Sequence, residues 1–185
     1  MKYLIASLFF RLTRWKLQVE DLTQIPGTVM IAAPHTSNWD FPIALLSFWK
    51  MRISFRYFIK DSYTRSPVGW FFKWTGAIGV NRTKLKNNLV QYASQILKDN
   101  PKMVILVPAE GTRKRVERWR TGFYHIALNA KANITLGFID YEKKVSGVLS
   151  VLKPTGVFEE DMKKIQNYYK DVKAKYPEMY NPQIF

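Results

Sequence analysis

The order of apolar runs along this chain predicts an α/β fold, a single domain with a mostly parallel sheet flanked by helices. Three observations carry that expectation. Short apolar runs that read as strands alternate with longer stretches of helical periodicity. The run at 103–107 is apolar without a break, as in a central parallel strand covered on both faces. The chain has 185 residues, 47% of them hydrophobic, enough for one well-buried domain and few for two.

Residues 1–20 read as an amphipathic membrane-interface helix, ahead of a domain over 21–185. Leu4, Ile5, Leu8, Leu12 and Trp15 share one side at helical spacing. Arg11 and Arg14 edge that side on one flank, Lys2 and Lys16 on the other. Cations beside an apolar face suit a helix lying in lipid, where their long stems reach for headgroups. The same pattern fits a terminal helix packed on the domain. The apolar run at 3–10 is too short to cross a bilayer, and no small-residue cleavage site follows it.

Residues 28–33 form the first expected strand, closed by Pro34, and 41–51 a helix with little polarity before Lys50. Residues 53–59 read as a second strand. Residues 66–75 gather Trp70, Phe71, Phe72 and Trp74 around Lys73, and 77–80 is a short strand leading to Asn81-Arg82. The stretch 83–100 predicts a helix with Leu85, Leu89, Tyr92 and Ile96 as its stripe, ended by Asn100-Pro101. After the strand at 103–107, residues 121–131 predict a helix with Phe123, Ile126, Ala127 and Ala130 inward. Strands follow at 134–139 and 148–152. A closing helix at 159–176 has acids first and lysines later, matching the helix dipole, and Pro177 stops it.

The formal charge of +15 and pI near 10.0 imply an acidic partner: nucleic acid, an anionic membrane, or a phosphorylated or acidic substrate. An aromatic content of 15% beside so many cations suits a membrane interface or single-stranded nucleic acid. With no cysteine there is no disulfide framework or thiolate metal site, and two histidines make a zinc site improbable, so no metal is expected.

Chemistry concentrates in two loops, each at the carboxyl end of an expected strand, where open α/β sheets place their sites. The first is His35-Thr-Ser-Asn-Trp-Asp40. A carboxylate that takes one imidazole N–H fixes the tautomer and supports the imidazolium once the other nitrogen accepts a proton. Asp40 is equally able to cap the following helix. The second loop is Glu110-Gly-Thr-Arg113. Gly111 permits a tight turn and close ligand approach, and Arg113 offers a planar fork for phosphate or carboxylate. Glu110 is placed to hold Arg113 or to bond a substrate hydroxyl. Arg82 ends a third strand, and Lys114, Arg115, Arg118 and Arg120 crowd one loop. Taken alone, each motif reads equally as a polar turn or solvated surface.

Together, His35-x4-Asp40, Gly76-Ala-Ile-Gly-Val-Asn-Arg82 and Glu110-Gly-Thr-Arg113 resemble, in order and spacing, the first three motif blocks of the glycerolphosphate and lysophospholipid acyltransferase family, including its 1-acylglycerol-3-phosphate acyltransferases. The resemblance runs from about residue 28 to 139. It implies that His35 is the general base and Asp40 orients it. It also implies that Arg82, Glu110, Gly111, Thr112 and Arg113 bind the acceptor's phosphate region. Pro34 stands where the family often has Asn, and the fourth block, Asn133-Ile-Thr-Leu-Gly137, lacks the usual proline.

The expected activity is transfer of a fatty acyl group from acyl-CoA or acyl carrier protein to a hydroxyl of a lysophospholipid or related lipid. The thioester is a co-substrate, and no cofactor is expected. No cysteine and no G-x-S-x-G elbow is present, so the nucleophile is the substrate's own hydroxyl. The expected location is the cytoplasmic face of a membrane, with an anionic membrane surface and the lysolipid acceptor as partners. One rival is a basic, non-catalytic nucleic-acid binder, for which Asp40 and Glu110 have no role. The other is an inactive peripheral membrane protein.

Overall fold

The computed structural model describes residues 1–19, 21–25, 27–81 and 88–185. Its frame is a seven-stranded sheet built from β1 (Lys16–Gln18), β2 (Thr28–Ala33), β3 (Phe55–Lys60), β4 (Ala77–Val80), β5 (Val104–Pro108), β6 (Asn133–Asp140) and β7 (Val145–Leu152). The strand order is β1-β7-β6-β2-β5-β3-β4, and every neighbouring pair is parallel except β6–β7. The expected α/β architecture with a mostly parallel sheet is what the chain adopts.

Both faces of the central strands are covered, which accounts for their unbroken apolar runs. In β2, Val29 and Ile31 enter one core and Met30 the other; in β5, Ile105 faces the first and Val104 and Leu106 the second. The first core is closed by α5 (Leu89–Asp99), α6 (Gly122–Ala130) and α7 (Phe158–Tyr169). The second is closed by α2 (Asp40–Met51), through Leu45, Phe48 and Met51.

Several boundaries depart from expectation. The first helix, α1, covers Lys2–Thr13 and ends at Arg14 in the left-handed region (φ 61°). Residues beyond it join the sheet as β1, beside β7. A three-residue strand carries too little periodicity to be read in advance. The expected 53–59 strand is Phe55–Lys60, and a short helix α3 (Asp61–Thr64) precedes α4 (Gly69–Trp74). In α5 the buried residues are Ala93, Ser94 and Leu97, while Tyr92 is exposed; Leu85 lies outside the described residues. The closing helix α7 stops at Tyr169. Beyond it Val172 and Ala174 enter the core, and the N–H of Tyr141 bonds the Lys173 carbonyl. Tertiary contacts there override helical periodicity.

Helix α1 packs by Ala6 and Phe10 and lies against α2, where Lys50 donates to Ser7 Oγ at 2.9 Å. Its other side stands open: Leu4, Ile5, Leu8 and Leu12 are 69%, 46%, 57% and 72% exposed. The apolar side predicted from sequence is therefore real, and it faces outward. Trp15 leaves that side and packs edge-on against Tyr141.

Candidate active site

Parallel pairing brings the two motif loops together. β2 and β5 are neighbours, with Ala32 opposite Pro108, so His35 and Glu110 leave the same sheet edge from adjacent strands. β4 lies two strands beyond β5, about 14 Å from β2 at the usual strand spacing. Arg82, which follows it, lies outside the described residues.

The chain turns at Pro34, after a cis Ala33–Pro34 bond, and α2 begins at Asp40. That folds the Asp40 carboxylate back over the loop. Its Oδ2 accepts from His35 Nδ1 at 3.0 Å and from the backbone N–H groups of Thr36 and Ser37 at 2.9 Å each. Its Oδ1 accepts from the Tyr141 hydroxyl at 2.6 Å. Four donors satisfy the oxygens of this buried carboxylate. His35 Nδ1 carries the proton given to Asp40, which leaves Nε2 as acceptor. The Thr36 and Ser37 N–H groups are committed to Asp40, so they are not free to receive an oxyanion.

Glu110 is 2% exposed, and its Oε1 accepts the backbone N–H of His35 at 2.9 Å. Burial pushes its carboxyl up to about 7, the His35 N–H opposes this, and the charge of Asp40 adds to the rise. Among the described residues Glu110 makes no ion pair with Arg113. Gly111 sits at φ 70°, where a Cβ would meet Arg120 Cγ at 2.9 Å. Thr112 accepts the Lys114 N–H at 3.3 Å, and Arg113 is exposed.

His35 opens onto a cavity of about 820 Å³. Its mouth carries His35, Gly111, Thr112, Arg113 and Lys60. Its interior runs between α2 and the sheet past Ala44, Phe48, Met51 and Met30. A base at the mouth of an apolar cavity, beside cations, fits an amphiphile with a polar reacting end. Tyr141 is the member of this site that the motifs did not reveal. It lies in the turn after β6, where no periodicity or spacing relates it to Asp40.

The family model described as Acyltransferase matches residues 16–136, which include both loops. The chain belongs to the acyltransferase family. As an acyltransferase it holds His35 and Asp40 in hydrogen-bond contact at the cavity mouth. Among solved structures it is similar to the 1-acyl-sn-glycerophosphate (LPA) acyltransferase PlsC from Thermotoga maritima. That match has a TM-score of 0.63 at 15% identity and covers 91% of this chain and 75% of that one. At that identity the likeness is one of fold. No curated protein matches the sequence.

Proposed function

We propose that this acyltransferase moves a fatty acyl group from an acyl thioester, on CoA or acyl carrier protein, to a hydroxyl of a lysophospholipid. The observation that carries the reading is the His35–Asp40 pair at the mouth of an apolar cavity large enough for an acyl chain. His35 Nε2 takes the acceptor hydroxyl's proton as that oxygen attacks the thioester carbonyl. Asp40 stabilises the imidazolium. When the tetrahedral intermediate collapses, the carbon–sulfur bond breaks and the leaving thiolate takes the proton from His35. Arg113 and Arg82 hold the acceptor's phosphate, as the resemblance to the family's motif blocks implies.

The acceptor is met at a membrane. Among the described residues no helix is long and apolar enough to cross a bilayer. The exposed apolar side of α1 adjoins a second apolar patch on α4, where Trp70 is 70% and Trp74 43% exposed. Lys2 joins them: its Nζ lies 4.4 Å from the Trp74 ring centroid and donates to the Trp74 carbonyl at 3.5 Å. Apolar side chains with cations between them suit insertion into an anionic leaflet. Phe72, on the other face of α4, lines the cavity. A nucleic-acid role gains nothing here, since Asp40 and Glu110 stand at the centre of the site.

Mass spectrometry of the products from purified protein, a panel of lysophospholipids and both donor types tests the reading. A diacyl product from at least one pair is expected. Acyl transfer only to water-soluble, non-lipid acceptors would overturn it.

A further inference from the structure

We propose that Tyr141 is a positioning residue for the catalytic base: by its hydrogen bond it fixes the Asp40 carboxylate and sets how strongly that carboxylate holds the protonated His35 ring. The proposal rests on the reading of His35 as base.

The two Asp40 oxygens have different duties. Oδ2 carries the ring and two backbone N–H groups, and Oδ1 carries only the Tyr141 hydroxyl among the described contacts. At 2.6 Å this is the short, charge-assisted kind of bond. The phenol is itself held. Its ring meets Trp15 edge-on at 5.4 Å, Lys175 Nζ lies 5.9 Å from its centroid, and its backbone N–H donates to Lys173 at 3.0 Å. Burial first, and then Asp40, push its ionisation far above the usual tyrosine range, so it remains a donor throughout the working pH range. Tyr141 lies beyond the residues matched by the family model.

A donor on a carboxylate disperses its charge. Without that donor the carboxylate attracts the imidazolium more strongly, and its own orientation loosens. The other groups facing the pair are Glu110 from the loop after β5, Arg113 and Lys60 on the cavity wall, and Lys175 and Tyr176 from the C-terminal tail. Tyr141→Phe leaves all of them in place and keeps the ring.

The experiment compares the parent with Tyr141→Phe and with 3-fluorotyrosine at 141, a more acidic and hence stronger donor. In Tyr141→Phe, kcat falls roughly tenfold, the scale of one hydrogen bond to a charged group, while KM for both substrates holds. The acidic limb of the pH profile moves up by about half a unit. In the fluorotyrosine protein that limb moves down. Imidazole NMR in a His125→Gln background, where His35 is the one histidine, reads the same two shifts without turnover. A merely structural phenol gives no such opposed movement. If neither the limb nor the NMR midpoint moves, or both substitutions move it the same way, the proposal is overturned. Should Tyr141→Phe not fold, the fluorotyrosine shift decides alone. His35→Ala run beside them separates the two readings: full transfer there removes the base itself, whereas loss there with unmoved Tyr141 variants removes only Tyr141.

Discussion

The side chain of Glu110 accepts the backbone N–H of His35 at 2.9 Å, tying together two loops that lie 75 residues apart in sequence. The glutamate of the Glu-Gly-Thr-Arg motif thus anchors the His35 loop, while Gly111, Thr112 and Arg113 reach the cavity mouth. An unsatisfied buried N–H costs about 1–3 kcal/mol, so the carboxylate has a structural reason to be there.

That contact predicts a pH dependence. Folded Glu110 holds its proton to about pH 7, against a model-compound value of 4.5. Between those values the folded state binds more protons than the unfolded one, so the stability from this group is full below about 4.5 and is lost as pH rises to about 7. Glu110→Gln keeps an oxygen for the His35 N–H and removes the titration. Thermal melts of both proteins from pH 4 to 8 should show the parent losing ground to the variant across that window. A constant difference contradicts the assignment. Glu110→Ala, which orphans the N–H, should lose activity at every pH.

Asp40→Asn should cut turnover by ~10²–10⁴-fold. An amide cannot accept from His35, Thr36, Ser37 and Tyr141 together, because one of its two ends is a donor. The melting temperature should fall as well. Steady-state kinetics beside circular dichroism checks both, and near-parental kcat would remove the carboxylate from the mechanism.

Arg113 is exposed at the cavity mouth, so its removal should spare the fold. Arg113→Ala should raise the acceptor KM, and Arg113→Lys should restore only part of the loss, since a point charge replaces a planar fork. Unchanged acceptor kinetics in both variants would show that it does not hold the phosphate.

Ala44 faces the cavity from α2. Ala44→Phe should fill part of the channel and shift donor preference to shorter acyl chains. Competition between donors of different length reads this directly, and an unchanged preference would place the acyl chain elsewhere.

How much of this was legible in the sequence depended on how local the signal is. The β2 and β4 bounds follow from runs ended by Pro34 and Asn81, and the His35–Asp40 contact from a five-residue step across a strand–helix turn. Glu110 was found by its motif, but its partner was not: pairing with a backbone N–H 75 residues away leaves no trace in side-chain spacing. Tyr141 was missed for the same reason. The side of α1 bearing Leu4, Ile5, Leu8 and Leu12 was correctly seen as apolar, yet periodicity cannot say whether such a side faces protein or lipid. Packing answers that through Ala6 and Phe10, small and large apolar residues on the opposite side.

That packing also shapes the membrane test. Deleting α1 would uncover α2, so point changes are cleaner. Leu4→Ser, Leu8→Ser and Leu12→Ser together should leave the melt unchanged and weaken sedimentation with anionic vesicles. Added salt should weaken the parent's binding too. Parental vesicle binding by the triple variant would detach α1 from the membrane role.

The central claim is that His35 takes the proton from the acceptor hydroxyl. Its most direct test is acyl transfer by His35→Ala, with the acceptor and donor that serve the parent and a circular dichroism spectrum showing the fold intact. The account predicts a loss of ~10²-fold or more, with no acyl group found on the protein by intact-mass measurement. Full transfer by folded His35→Ala protein would contradict it.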